Sequence, residues 1–267
     1  MPLRIAVVQF EIRHLDRKLN FRRIEDFVRQ AVAGGANVVV FPEDCTTGSI
    51  FGVLSRLDSS GETRKTFQNI AKKYRIDLVT GSVMEGTSKG NFNTSYYIDA
   101  TGNVLAQYRK NHLYPSEYRF LQPGTEAKVV ETAYGKIGIV ICWDLLFSEI
   151  FSCLKQQGVQ IVYCPSYWYQ EIAGPIAALN PHSEEDQVDA LCLARAVETN
   201  CAFVYANAAG IQTYADGTTD TLIGHSQICL PGVGVLQRFA HREEGLFFQD
   251  VDLSVLAQTA FLYRDSA

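Results

Sequence analysis

No transmembrane-length apolar run occurs anywhere in this chain of 267 residues, so a bilayer-spanning helix is excluded from the reading. The N-terminal stretch is too short and too β-like for a signal peptide and reads as a first strand. Positive charge is not in excess: 24 Lys and Arg against 29 Asp and Glu give a net charge of −5. That balance speaks against nucleic acid or an anionic membrane as the main partner. Cysteine pairing is missing too. The chain has 7 cysteines, an odd number, with no C-x-x-C and no Cys/His cluster at zinc spacing. A disulfide framework, a thiol-redox motif and a structural zinc site are therefore set aside. Reduced thiols in a cytoplasm are expected. No glycine loop has the spacing of a dinucleotide or phosphate site; Gly232-Val233-Gly234 and Gly61-Glu62-Thr63 read as turns.

What is present is a strand-then-helix rhythm without a linker, which predicts one domain over residues 1–267. Arg4–Phe10 reads as a buried strand. Asp16 is placed to cap a helix whose apolar face carries Phe21, Ile24, Phe27 or Val28, Ala31 and Val32, and Gly34-Gly35 stops it. A second strand runs Asn37–Phe41, a helix Thr63–Tyr74 and a strand Ile76–Val83. Two hairpins follow, Thr94–Asp99 with Val104–Tyr108 and Lys128–Thr132 with Ile137–Ile141. Helix and strand then alternate: a helix from about Ser148, a strand Val159–Cys164, a helix Glu184–Thr199 and a strand Cys201–Ala206. Strands near Gly224–Cys229, Gly234–Arg238 and Gly245–Val251 complete the set. Strands of mixed direction between helices predict α/β layers, sheets covered by helices.

Four charged or nucleophilic residues stand at the edges of apolar elements. Cys142 ends the run Ile137–Ile141 and precedes a turn into a helix, where backbone N–H groups favour a thiolate and hold an oxyanion. Its bland alternative is a buried core thiol. Glu43 follows Val38–Phe41 and Pro42. Lys110 lies just past the Val104–Tyr108 strand, and Glu117 seven residues on. A cysteine nucleophile needs a base and a partner for the developing oxyanion, and these residue types supply both. Ligands also gather at strand ends in α/β folds.

Val39-Val40-Phe41-Pro42-Glu43, Tyr108-Arg109-Lys110-Asn111-His112-Leu113 and Cys142-Trp143-Asp144, with Phe147-Ser148-Glu149, resemble the nitrilase, or carbon–nitrogen hydrolase, superfamily. Ala194-Arg195-Ala196-Val197-Glu198-Thr199-Asn200 and Tyr205-Ala206-Asn207 extend the likeness over nearly the whole chain. The resemblance implies a four-layer α-β-β-α sandwich. It implies hydrolysis of a small amide or N-carbamoyl compound through a thioester on Cys142. Glu43 would move the protons, Lys110 and the Trp143 N–H would stabilise the oxyanion, and Glu117 would orient Lys110. No metal or other cofactor is expected. A homodimer or larger homo-oligomer is implied, with contacts from segments such as Leu253–Tyr263.

Departures from the family pattern shape the specificity expected. Leu146 stands where many family amidases carry an arginine for a substrate carboxylate, which counts against monoamides of dicarboxylic acids. Asp144, in place of the glutamate of true nitrilases, leans toward amidase or carbamoylase chemistry. The loop over residues 166–187 is long, and its Tyr167, Trp168 and Tyr169 are candidates for the pocket mouth or for a subunit contact. A nitrilase acting on nitriles, or a binding or acyl-transfer member of the same fold, remains the alternative.

Overall fold

Short apolar runs such as Val38–Val40, Ile161–Ser166 and Ala202–Asn207 form strands buried on both faces. The computed structural model describes residues 3–262. In chain order the strands are β1 (Leu3–Gln9), β2 (Val38–Val40), β3 (Asp77–Val79), β4 (Val83–Thr87), β5 (Gly90–Ile98), β6 (Val104–Arg109), β7 (Val130–Thr132), β8 (Gly135–Ile139), β9 (Ile161–Ser166), β10 (Ala202–Asn207), β11 (Ile211–Thr213), β12 (Thr219–Thr221), β13 (Gln227–Leu230), β14 (Gly234–Arg238) and β15 (Gly245–Val251). The helices are α1 (Arg17–Ala33), α2 (Glu62–Tyr74), α3 (Ser148–Gln156), α4 (Ser183–Thr199) and α5 (Val255–Leu262).

The first sheet runs β15-β1-β2-β3-β5-β4, with β6 also on β5; the second runs β14-β13-β10-β9-β8-β7. Strand alternation sorts the core into layers. Leu3, Ile5 and Val7 of β1 and Val38 and Val40 of β2 face the second sheet, in one cluster with Ile139, Val162 and Phe203. Ala6, Val8 and Val39 face the other way, onto Ile24, Phe27 and Val28 of α1 and Phe67 of α2. Phe151 of α3 and Val188 and Ala196 of α4 cover the second sheet. The result is the expected α-β-β-α sandwich.

Asp16 caps α1 by accepting the Leu19 N–H at 2.9 Å. The face of α1 differs at one end from expectation: Val32 is 40 % exposed, while Asn20 is buried because its amide donates to the Arg13 and Thr46 carbonyls. The strand expected over Ile76–Val83 is broken into β3 and β4 at Gly81. A Cβ there would lie 2.0 Å from the Pro42 carbonyl oxygen, and its φ is +70°. Only glycine fits, and the break lets the chain pass against the segment that carries Glu43. β5 starts four residues before the expected Thr94 and pairs there with β4, and the β11–β12 hairpin is outside the expected set because its strands are three residues each and polar. Tyr163 and its neighbours on β9 are buried, and the strand begins and ends two residues later than the expected Val159–Cys164. Of the proposed contact segment Leu253–Tyr263, α5 occupies most, and Tyr263 lies outside the described residues. No helix among the described residues is long and apolar enough to cross a membrane.

Candidate active site

In both sheets the parallel strands point their C-terminal ends the same way, and the site forms where those ends meet. Glu43 follows β2, Lys110 follows β6, Cys142 follows β8 and Tyr167 follows β9. Lys110 is fixed by its own backbone, whose N–H donates to the Asn93 carbonyl at 2.9 Å. Its ammonium is 2.8 Å from Glu43 Oε1 and 2.8 Å from Glu117 Oε2. Two of its three N–H donors are so committed, and one is left for the cavity. Glu43 is held at both oxygens, with the Tyr167 N–H donating to Oε2 at 2.9 Å and Asn93 Nδ2 to Oε1 at 2.8 Å. Asn93 Nδ2 also reaches Glu117 Oε1 at 3.1 Å, and the Tyr114 N–H donates to Glu117 Oε2 at 2.6 Å. The three charged side chains are all nearly sealed from solvent. Two carboxylates and one ammonium in low dielectric persist only because each is hydrogen-bonded on several sides.

Cys142 opens a tight helical turn, Cys142–Leu146, with φ +47°. A non-glycine residue in the left-handed region costs about 1–2 kcal/mol, so the turn must be held from outside. Asp144 holds it. Its buried carboxylate accepts the Ile141 N–H at 2.9 Å, the Tyr108 hydroxyl at 2.7 Å and the His112 N–H at 2.8 Å. One side chain thereby ties the nucleophile turn to the segment that carries Lys110. Arg195 of α4 adds a second tie, donating from Nε and Nη2 to the Leu145 carbonyl at 3.0 Å each. The Trp143 N–H, early in the turn, has no backbone partner among the described residues. Replacing Asp144 with Ala orphans three buried donors at about 1–3 kcal/mol each. Asp144→Ala is therefore expected to lower the melting temperature by several degrees and to lose most activity, whereas a surface change such as Asp26→Ala does neither. Thermal unfolding monitored by circular dichroism checks the first effect.

Electrostatics sort the proton inventory. Burial pushes the Glu43 carboxyl above the ordinary carboxylate range, against the pull of Lys110. Burial works against the Lys110 charge, yet Glu117 and then Glu43 hold it well above the usual lysine range. Burial pushes the Cys142 thiol well up, and the Glu43 charge adds to this while Lys110 opposes it. Desolvation thus opposes the thiolate expected at the helix start.

Glu43, Lys110, Glu117, Cys142, Trp143 and Tyr167 all line one cavity of about 50 Å³. Tyr169 joins them, but Trp168 does not. Trp168 is fully buried behind Trp143, 5.3 Å between ring centroids, with its indole N–H donating to Glu184 at 2.7 Å. Its strand-end neighbours alternate faces, so Tyr167 and Tyr169 point to the cavity and Trp168 to the core. Leu146 packs against the core cluster and does not line the cavity. His182 sits on the exposed start of α4, and His112 serves the Asp144 network, stacked on Phe147 at 3.8 Å. Residues 170–178 of the long loop form tight turns, and Ile172 reaches the cavity. Sequence reasoning missed Asn93 and the bracing role of Asp144. It also missed Asp44, Asp220 and the aromatic wall of Phe51 and Tyr114, all in the cavity lining.

A thiol, a buried carboxylate and a buried ammonium in one small cavity define a hydrolase of carbonyl–nitrogen bonds. The family model described as carbon-nitrogen hydrolase matches residues 4–261, and the chain belongs to that family. Among curated relatives, the 2-oxoglutaramate amidase of Bacillus subtilis is 29 % identical over 262 residues, covering 97 % of this chain and 94 % of that protein. An omega-amidase of Danio rerio is 29 % identical over 265 residues, covering 95 % and 90 %. Among solved structures, an amidase mutant from Nesterenkonia sp. AN1, with the acetamide moiety of fluoroacetamide added covalently at its active site cysteine, superposes with a TM-score of 0.80. It is 26 % identical and covers 99 % of this chain and 97 % of that chain. A carbon-nitrogen hydrolase from Helicobacter pylori shares the fold at a TM-score of 0.90 and 18 % identity, covering 98 % and 94 %.

Proposed function

We propose that Cys142, Glu43, Lys110 and Glu117 hydrolyse a short primary amide or N-carbamoyl compound in this cavity, as one domain spanning the chain. The observation that carries the reading is the Lys110 ammonium, held 2.8 Å from each of two buried carboxylates beside the Cys142 thiol. Glu43 takes the thiol proton as Sγ bonds to the substrate carbon. The oxyanion that forms meets the remaining Lys110 N–H and the Trp143 N–H. Glu43 returns the proton to the departing nitrogen, the C–N bond breaks, and ammonia or an amine leaves a thioester on Cys142. A water then gives its proton to Glu43 and attacks the thioester. The C–S bond breaks, and the thiol recovers the proton. Glu117 holds Lys110, and Asn93 holds the two carboxylates apart at a fixed spacing. Carbamoyl substrates follow the same steps and also yield carbon dioxide.

A cytoplasmic setting fits seven free thiols, six of them buried. The exposed Ile176 and Leu179 on the long loop suit a homo-oligomer contact.

Because a raised Glu43 must be a carboxylate to act, kcat/KM is expected to fall as pH drops through a single inflection above the ordinary carboxylate range. With the Lys110 and Cys142 values both raised, the profile stays level through about pH 8.5, where a free thiol would titrate. Ammonia release from a panel of short amides, N-carbamoyl amines and nitriles, followed over pH, tests both parts. A rate that climbs with a thiol-like inflection contradicts the proton inventory; hydrolysis of nitriles alone contradicts the amide reading.

A further inference from the structure

The cavity lining is unbalanced in charge. Four carboxyl groups, Glu43, Asp44, Glu117 and Asp220, face one cation, Lys110. Glu43 and Glu117 already share that cation. Asp44 and Asp220 have none. Both are more than nine-tenths buried, at 4 % and 7 % exposure. Each has one oxygen engaged: Ser82 Oγ donates to Asp44 Oδ1 at 3.3 Å, and the Tyr214 hydroxyl donates to Asp220 Oδ2. Asp44 Oδ2 and Asp220 Oδ1 have no hydrogen-bond partner among the described residues, and neither is sealed from the cavity in the way a fully enclosed atom is. His14 packs its ring on Tyr214 at 5.0 Å between centroids and has its Nε2 2.9 Å from the Ser49 carbonyl oxygen, so it makes no hydrogen bond to Asp220 among the described residues. Glu171, which also faces Asp220, is engaged by the Thr221 N–H and hydroxyl at 2.8 Å each.

Aromatic rings complete the wall. Phe51, Tyr114, Trp143, Tyr167 and Tyr169 line the same space. The faces of such rings attract ammonium groups and offer nothing to a carboxylate. Tyr167 bridges the two halves of the cavity: its N–H donates to Glu43, and its hydroxyl is 3.2 Å from that of Tyr214, which holds Asp220. The reacting end and the Asp220 end are therefore joined through one residue.

We infer that the site selects amides or carbamoyl compounds that carry a protonated amine at the far end, with Asp220 as the ammonium partner. This rests on the hydrolytic reading of the same cavity. At the Asp220 end a substrate carboxylate meets an acid rather than a cation, and the position at which family amidases often present arginine is the apolar Leu146, outside the lining. The bound ammonium neutralises the buried carboxylate that the protein leaves unpaired, which water alone does poorly in a narrow aromatic space.

The test uses three amides of equal length ending in ammonium, methyl or carboxylate. The ammonium amide is expected to exceed the methyl amide in kcat/KM roughly ten- to hundredfold, mainly through KM, and the carboxylate amide to be worst. Asp220→Asn should shrink the ammonium-to-methyl ratio to near one. Equal kcat/KM across the three, a preference for carboxylate, or an unchanged ratio in Asp220→Asn overturns the inference while leaving the hydrolase reading intact. A second readout does not need turnover: the rate at which iodoacetamide alkylates Cys142, with butylammonium or butyrate as competitor. Protection by butylammonium that is lost in Asp220→Asn supports the ammonium site even if no amide is hydrolysed. Equal protection by both ions, or none, overturns it.

Discussion

Removing the sulfur of Cys142 is expected to abolish turnover while leaving the fold intact. Cys142→Ala deletes the atom that forms the thioester, and the remaining groups cannot replace it. Deleting the nucleophile of a serine protease, which also works through a covalent acyl-enzyme, costs about 10⁶ in kcat. The protein loses little by the change. The thiol contributes no ion pair, and alanine tolerates the left-handed φ no worse than cysteine. A melting temperature within a few degrees of the parent, with ammonia release at background, is the expected pair of results. Residual activity within a hundredfold of the parent places the chemistry elsewhere.

Lys110→Ala is expected to have the second-largest effect, and a different signature. The oxyanion loses one donor, which is worth about 10²–10³ in kcat. Glu43 and Glu117 also lose the cation between them, and the Asn93 amide is then their main shared partner. Like charges in a buried site cannot both stay ionised, so Glu43 rises further and the acid limb of the pH profile moves to higher pH. Stripping one partner from a buried charge cluster costs about 3–5 kcal/mol, so this variant is less stable than Cys142→Ala as well as slower. The two variants together separate a residue that only reacts from one that also holds the site. Lys110→Ala with parental kcat and an unmoved pH profile removes lysine from the mechanism.

These contrasts rest on which features were legible in the amino-acid order. Buried strands such as Val38–Val40 and Ile161–Ser166 announce themselves because both faces are apolar. Helices such as α1 announce themselves through a cap and a 3.6-residue stripe. Glu43, Lys110, Glu117 and Cys142 stand at the ends of such elements, so local pattern and family likeness together locate them. Asn93 does not stand out: it lies inside a strand, and its importance comes from pairing with β6, which brings it beside Lys110. Asp144 reads as a marker of amidase or carbamoylase chemistry within its motif, and only the packing of the Tyr108–His112 segment against it shows that it braces two parts of the site. Asp220 sits on a hairpin too short and polar to be read in advance, and long-range folding alone brings it to the cavity. Trp168 was misplaced for a local reason, since strand alternation separates it from Tyr167. The desolvation of Cys142 is not legible either, since sequence shows the helix start but not how completely the thiol is buried.

The thioester is the account's central claim, and intact-protein mass spectrometry of a rapidly quenched reaction tests it most directly. During turnover of a short amide the account predicts a population heavier by the acyl group, mapped by peptide fragmentation to Cys142 and absent from Cys142→Ala. Steady hydrolysis with no acyl mass on Cys142 at any quench time, in a reaction that a cysteine-directed reagent fails to stop, contradicts it.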